Sequence, residues 1–127
     1  MIQTETRTAT IFIDGSGIVH VILKEGVVID YEDALDNYLV IKHLTGNQPA
    51  LKLIDARARS TIKSKAWEFT RNREVKEKTI ARATIKRFRI LNVFHNLILR
   101  LLPQSVPTRV FSGYDEAYAW LLSHREK

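Results

Sequence analysis

"LKLIDARARSTIKSKAW", residues 51–67, holds the key to how this 127-residue chain folds. The run from Ala50 to Ile54 follows Pro49 and is too short for a helix. It reads as a buried strand of the kind found in parallel sheets, where both faces are covered. The strand ends in Asp55, and a basic stretch with three hydroxyls, Ser60, Thr61 and Ser64, comes next. Ligand sites of parallel sheets lie beyond the carboxyl ends of their strands, so Asp55 is a candidate binding residue. The simpler reading, and the one preferred, is that it fixes its own loop by accepting backbone N–H groups.

Working outward, residues 8–13 (TATIFI) and 18–23 (IVHVIL) are apolar and β-branched, as in strands. Between them "DGSG", residues 14–17, supplies the turn of a hairpin. Val27 to Ile29 is a short extended piece. Asp30 then suits an N-cap, with Glu32 and Asp33 at the positive end of the helix dipole. Ala34, Leu35, Tyr38, Leu39 and Ile41 form the apolar stripe of that helix, and Gly46 stops it. Residues 61–76 read as a second helix, with Ile62, Ala66, Trp67 and Phe69 as its apolar contribution. In residues 79–86 (TIARATIK), the β-branched Thr79, Ile80, Thr84 and Ile85 favour a strand over continuation of that helix. A long apolar helix spans Phe88 to Leu102 and is closed by Pro103; residues 108–111 (TRVF) make a final strand. Ser112 is the expected cap of the last helix, with Asp115 at its N3 position and Ala117, Trp120 and Leu121 facing inward. The order ββαβαβαβα predicts an α/β fold: one domain over residues 1–127, with a mostly parallel mixed sheet opened by an antiparallel hairpin.

That order resembles the STAS-like (SpoIIAA-like) domain of the bacterial anti-sigma factor antagonists. The likeness is carried by "LKLIDAR", by the apolar helix followed by "VPTRVF", and by "FSGYDEAYAWL", and covers roughly residues 8–124. In the antagonists a partner kinase phosphorylates a serine where the second helix begins, and the unmodified form binds that partner. The resemblance places this serine at Ser64, within Lys63, Ser64, Lys65, Ala66 and Trp67, where Lys63 replaces the family's acid and Ala66 its glycine. Ser60 or Thr61 is an alternative register. Read from the residues alone, Ser64 is an N-cap, because a serine there accepts a backbone N–H. The resemblance implies a non-catalytic protein-interaction or regulatory module, with Asp55, Arg57, Ser60, Thr61 and Ser64 as the partner-binding surface.

Composition bounds the alternatives. The chain has no cysteine, so disulfides and thiolate metal sites are excluded and a cytoplasmic home is expected. Its first ten residues lack the pattern of a secretion signal, and residues 88–102 are too short and too polar to span a bilayer. There is no glycine-rich phosphate loop, no nucleophile elbow and no paired-histidine metal motif. No catalytic residue, metal or cofactor is therefore assigned. The four histidines, 20, 43, 95 and 124, are scattered, and His20 and His95 read as hydrogen-bonded structural residues.

The helix of residues 88–102 carries a surplus of apolar surface. On a helical wheel its polar sector holds Arg89, Asn92, Asn96 and Arg100, and apolar residues fill about 240°, against the little more than 100° that packing on a sheet requires. One edge, either Val93 with Leu97 or Phe88 with Leu99, is expected at the surface, and a homodimer through this helix would bury it.

Charge is also unevenly placed. Residues 57–89 hold twelve Lys and Arg against three Glu, within a net charge of +6 for the chain. Trp67 and Phe69 lie beside Arg71 and Arg73 in that segment, which makes an electrostatic nucleic-acid binder the first alternative. A small-ligand or lipid carrier is the second. If the basic segment binds nucleic acid only electrostatically, affinity falls steeply with salt as counterions are released. We expect weak, non-specific binding confined to low salt in a filter or anisotropy titration. Sequence-selective binding persisting at physiological salt would favour the nucleic-acid reading.

Overall fold

The computed structural model describes residues 2–87, 89–101 and 105–125. Its centre is β5 (Ala50–Asp55), hydrogen-bonded in parallel to β3 (Ile18–Leu23) on one side and to β7 (Thr79–Ile85) on the other. The six-stranded sheet runs β1-β2-β3-β5-β7-β8, with β8 (Thr108–Phe111) parallel to β7 at one edge. At the other edge β2 (Ala9–Ile13) forms the expected hairpin with β3, and a two-residue strand β1 (Thr4–Glu5) extends it. The hairpin turn is held by Asp14, whose carboxylate accepts the N–H groups of Ser16 and Ile18, and Gly17 takes the positive φ (+83°) that the turn needs.

Alternation along the strands divides the core in two. Ile18, Leu51, Leu53, Ala81, Ala83 and Ile85 face α5 (Tyr114–Leu122), which presents Ala117 and Leu121, both fully buried, with Trp120 packed on Phe111. Val19, Val21, Ala50 and Ile54 face the opposite side, where α1 (Tyr31–Leu44) presents Ile41. Helix α1 begins as its sequence requires. Asp30 accepts the N–H of Asp33, and the Asp33 carboxylate accepts that of Asp30, a reciprocal capping box. Arg7 adds a two-pronged pair to Asp33 and ties β1–β2 to the helix start. Gly46 and Asn47, both at φ +62°, end the helix turn.

Three expectations need correction. The helix foreseen over 61–76 is three elements: β6 (Ser60–Ile62), α2 (Ser64–Thr70) and α3 (Arg73–Glu77). Residues 60–62 are drawn into a two-stranded parallel sheet with β4 (Val27–Ile29), a pairing between distant segments that local pattern does not reveal. Asn72 restarts the helix by capping Val75 N–H at 2.8 Å. Second, Ser64 is not an N-cap: Lys63 occupies that position and no side chain caps α2, so Ser64 is the first helical residue. Third, Ser112 does not cap α5. Gly113 is the N-cap, which puts Asp115 at the second helical position rather than the third, and the Ser112 hydroxyl accepts from Asn92 instead.

The strand at Thr79–Ile85 and the helix α4 (Arg89–Leu101) are as expected, but α4 is turned the other way round. It lies along the edge of β8 with Asn92 and Asn96 inward, while Arg100 is exposed. Asn96 donates to Val110 O and accepts from Val110 N, both at 2.7 Å. Asn92, 4% exposed, shares its amide hydrogens among Lys86 O, Phe111 O and Ser112 Oγ. The apolar arc faces out: Leu91, Val93, Phe94, Leu97, Ile98 and Leu101 are each more than half exposed, whereas Leu99 and His95 are half-buried. Phe88, Leu102 and Pro103 lie outside the described residues.

Two outcomes follow from these contacts. Asn96→Ala leaves both polar groups of Val110 unpaired and should lower unfolding free energy by about 1–3 kcal/mol in a denaturant titration. Asn96→Leu should be no better than the alanine variant, although it completes the apolar wheel. The second outcome concerns acid. The Arg7 guanidinium holds the Asp33 carboxyl down to about 2, from an ordinary value of 3.8. Asp33 thus takes up its proton near pH 4 when unfolded and near pH 2 when folded, so its stabilisation is complete above pH 4 and lost as pH falls towards 2. The denaturation midpoint should drop across that window, and Arg7→Gln should flatten the drop while lowering the midpoint at pH 7.

Candidate functional site

The carboxyl end of β5 is occupied by the chain's own ion pair. Asp55 accepts the Arg57 backbone N–H at 3.1 Å and the Arg57 side chain at 3.0 and 2.7 Å. The guanidinium pairing holds the Asp55 carboxyl below the usual carboxylate range, with the backbone N–H adding to it. The loop-fixing role foreseen for Asp55 is what the geometry shows, and it engages Arg57 as well. Ala56 N–H continues the parallel ladder to Ile85 O, so this lip of the sheet is tightly bound.

Beyond the loop, Ser60 is half-buried in β6, and Thr61 and Ser64 are exposed. The five candidate residues therefore fall into a self-paired couple, Asp55 with Arg57, and an outward hydroxyl-bearing edge, Ser60, Thr61 and Ser64, flanked by the exposed Lys63 and Lys65. Ser64 is free of any capping duty.

Within the basic segment Arg59, Lys63, Lys65, Arg71, Arg73 and Lys76 are exposed. Arg57 is paired with Asp55, Arg73 approaches Glu77 at 3.7 Å, and Arg82 is half-buried on β7. Phe69, a candidate for base stacking, is packed edge-on against Tyr31 and Tyr38, whereas Trp67 is half exposed.

His20 proves to be the centre of a polar network on the α5 side of the sheet. It is 3% exposed, stacks on Phe12, and places Nε2 2.8 Å from Asp14 Oδ2 and Nδ1 2.8 Å from the Tyr114 hydroxyl. Tyr118 donates to the same Asp14 oxygen at 2.8 Å. These bonds keep Asp14 below its ordinary value despite burial, and burial, with Asp14 nearby, raises Tyr114. A raised phenol is a hydrogen-bond donor rather than a nucleophile, so the arrangement ties α5 to the hairpin. His95 is lowered by burial and by Lys86.

Two charged residues escaped the sequence reading: Lys52 on β5 and Arg82 on β7, neighbours across the sheet. The available signal was a single cation within each buried strand pattern, "LKLID" and "TIARATI". Among the described residues no group of carboxylates, histidines or cysteines is placed to hold a metal, and no helix is long and apolar enough to cross a membrane.

Comparison with known proteins agrees with this architecture. The crystal structure of an uncharacterized protein of the DUF3478 family, with a SpoIIAA-like fold, from Shewanella loihica PV-4 superposes with a TM-score of 0.67. The match covers 95% of this chain and 99% of that one at 14% identity, so the likeness is one of fold. No curated protein matches. The STAS-like resemblance in the sequence is thus matched by a SpoIIAA-like fold in three dimensions. The model of a domain of unknown function, DUF7793, matches residues 11–125, and the chain belongs to that family.

Proposed function

We propose that this domain is a non-catalytic interaction module that works as a homodimer through α4, leaving the Ser60–Ser64 edge available to a protein partner. The outward apolar face of α4 carries this reading. Leu91, Val93, Phe94, Leu97, Ile98 and Leu101 form a stripe along a 13-residue helix, with no charged residue on it between Leu91 and Ile98. Apolar surface of this extent usually marks an interface. An uncharged apolar face is complementary to itself, which favours a second copy over a charged partner. The exposed side chains amount to on the order of 700 Å² per copy, so a two-fold pair would bury about 1,400 Å², within the range of stable interfaces.

Burial supports a non-catalytic role: the His20 ring that joins Asp14 and Tyr114 is 3% exposed, and Arg57 closes over the Asp55 carboxylate. The SpoIIAA-like fold supports a regulatory setting, and the exposed Ser64 between two lysines is the position that the resemblance links to partner control.

Light scattering across a dilution series tests the dimer. The wild type should show a dimer mass that falls on dilution. Leu97→Glu should give a folded monomer whose melting temperature no longer depends on protein concentration and falls only by the stabilisation that dimerisation supplied, because Leu97 is exposed in the monomer. Leu99→Glu, at a half-buried position against the sheet edge, should instead lower the melting temperature. A wild type that is monomeric at its highest soluble concentration would sink the proposal.

A further inference from the structure

Central strands of a sheet covered on both faces rarely carry charges, and when they do the charges are paired. Here two cations sit side by side. Lys52 and Arg82 are register partners on β5 and β7, so their side chains emerge on the same face, the one covered by α1. Lys52 is 3% exposed and Arg82 half-buried. Like charges directly opposite one another on neighbouring strands repel, and burial deepens the cost. Among the described residues neither side chain has a carboxylate partner or a hydrogen bond. The Lys52 ammonium has only the Tyr38 ring, 5.9 Å away.

Tyr38 brings a second orphan to the same place. Its hydroxyl is buried and, among the described residues, makes no hydrogen bond of normal length and angle. Burial first, and then the Glu74 carboxylate of α3 drawn up to the hydroxyl, push the phenol up to about 12, so it remains a donor. Burial and Arg82 together lower Lys52 to about 8, so the ammonium persists at neutral pH. Thr84, two residues beyond Arg82, lies on the same face of β7.

A guanidinium fork and an ammonium lie side by side on one face of the sheet, with the Tyr38 ring near the ammonium and the Glu74 carboxylate beside the phenol. The geometry points to an oxyanion-binding site: we propose that Lys52, Arg82 and Tyr38 bind the phosphate or carboxylate group of a small anionic ligand between α1 and the sheet. Arginine matches either group bidentately, lysine adds a point charge, and the tyrosine donates the remaining hydrogen bond. The site lies on the opposite face of the sheet from the His20 network and does not use the outward surface of α4, so it stands independently of the dimer.

The test is a titration of the full chain with inorganic phosphate and, separately, with acetate, against sodium chloride at matched ionic strength. Binding is read by isothermal calorimetry and by the backbone amide resonances of Lys52 and Arg82. We expect saturable binding of at least one oxyanion with shifts centred on those amides, and at least a tenfold weaker affinity in Lys52→Met and in Arg82→Met. Phosphate alone would identify a phosphorylated ligand, and acetate alone a carboxylate. If neither exceeds chloride, the proposal is wrong. It is equally wrong if the shifts fall on the surface lysines or if folded methionine variants bind as the wild type does. The wild-type amide shifts decide the matter even if a variant fails to fold.

Discussion

Every N–H and C=O along the parallel run β3-β5-β7-β8 must find a partner, and at the outer edge of β8 that requirement falls on side chains. Asn96 meets it by presenting an amide, which has the same donor and acceptor as a neighbouring strand, to both polar groups of Val110. Asn92 acts only as a donor, to the Lys86 and Phe111 carbonyls, the latter already accepting the Lys86 N–H. With two asparagines committed inward, the orientation of α4 follows, and its apolar arc is left to face outward. The same contacts thus close the sheet and create the surface assigned to self-association.

The opposite tension lies inside the sheet. Most of the strand interior obeys the rule that buried residues are apolar, and the buried polar groups of the α5 face obey it in spirit: His20, Asp14, Tyr114 and Tyr118 satisfy one another. The α1 face departs from it at Lys52, Arg82 and Tyr38. A closed network stabilises a fold, whereas adjacent cations with no carboxylate partner among the described residues cost stability in isolation. That contrast, within one sheet, separates a structural cluster from a binding one.

The loop after β5 is instructive for the same reason. Asp55 holds the position where parallel sheets commonly recognise ligands, yet Arg57 already engages its carboxylate through backbone and side chain. The exposed hydroxyls downstream are different in kind. Ser64, relieved of capping by Lys63, is open to a partner, and the flanking Lys63 and Lys65 are exposed beside it.

Local chemistry was legible wherever one segment supplies both the signal and the partner. The Asp30 cap with Asp33, the Asp14–Gly17 hairpin, the β-branched strand at 79–85 and the inward Ala117 and Leu121 all rest on neighbours within a few residues. The STAS-like order of elements could be read for that reason. What sequence left open depends on distant segments. The pairing of β6 with β4 takes residues 60–62 from the expected helix, and it moves the helix start so that Ser64 no longer caps. The inward face of α4 depends on an open strand edge contributed fourteen residues later, where an amide is worth more than a leucine because the edge needs hydrogen bonds. Lys52 and Arg82 stand thirty residues apart, each a lone cation in an apolar pattern, and only parallel register sets them side by side. Hydrophobic period and capping residues act along the chain and can be read from it; hydrogen-bond satisfaction and charge pairing act across it, and only the folded arrangement decides them.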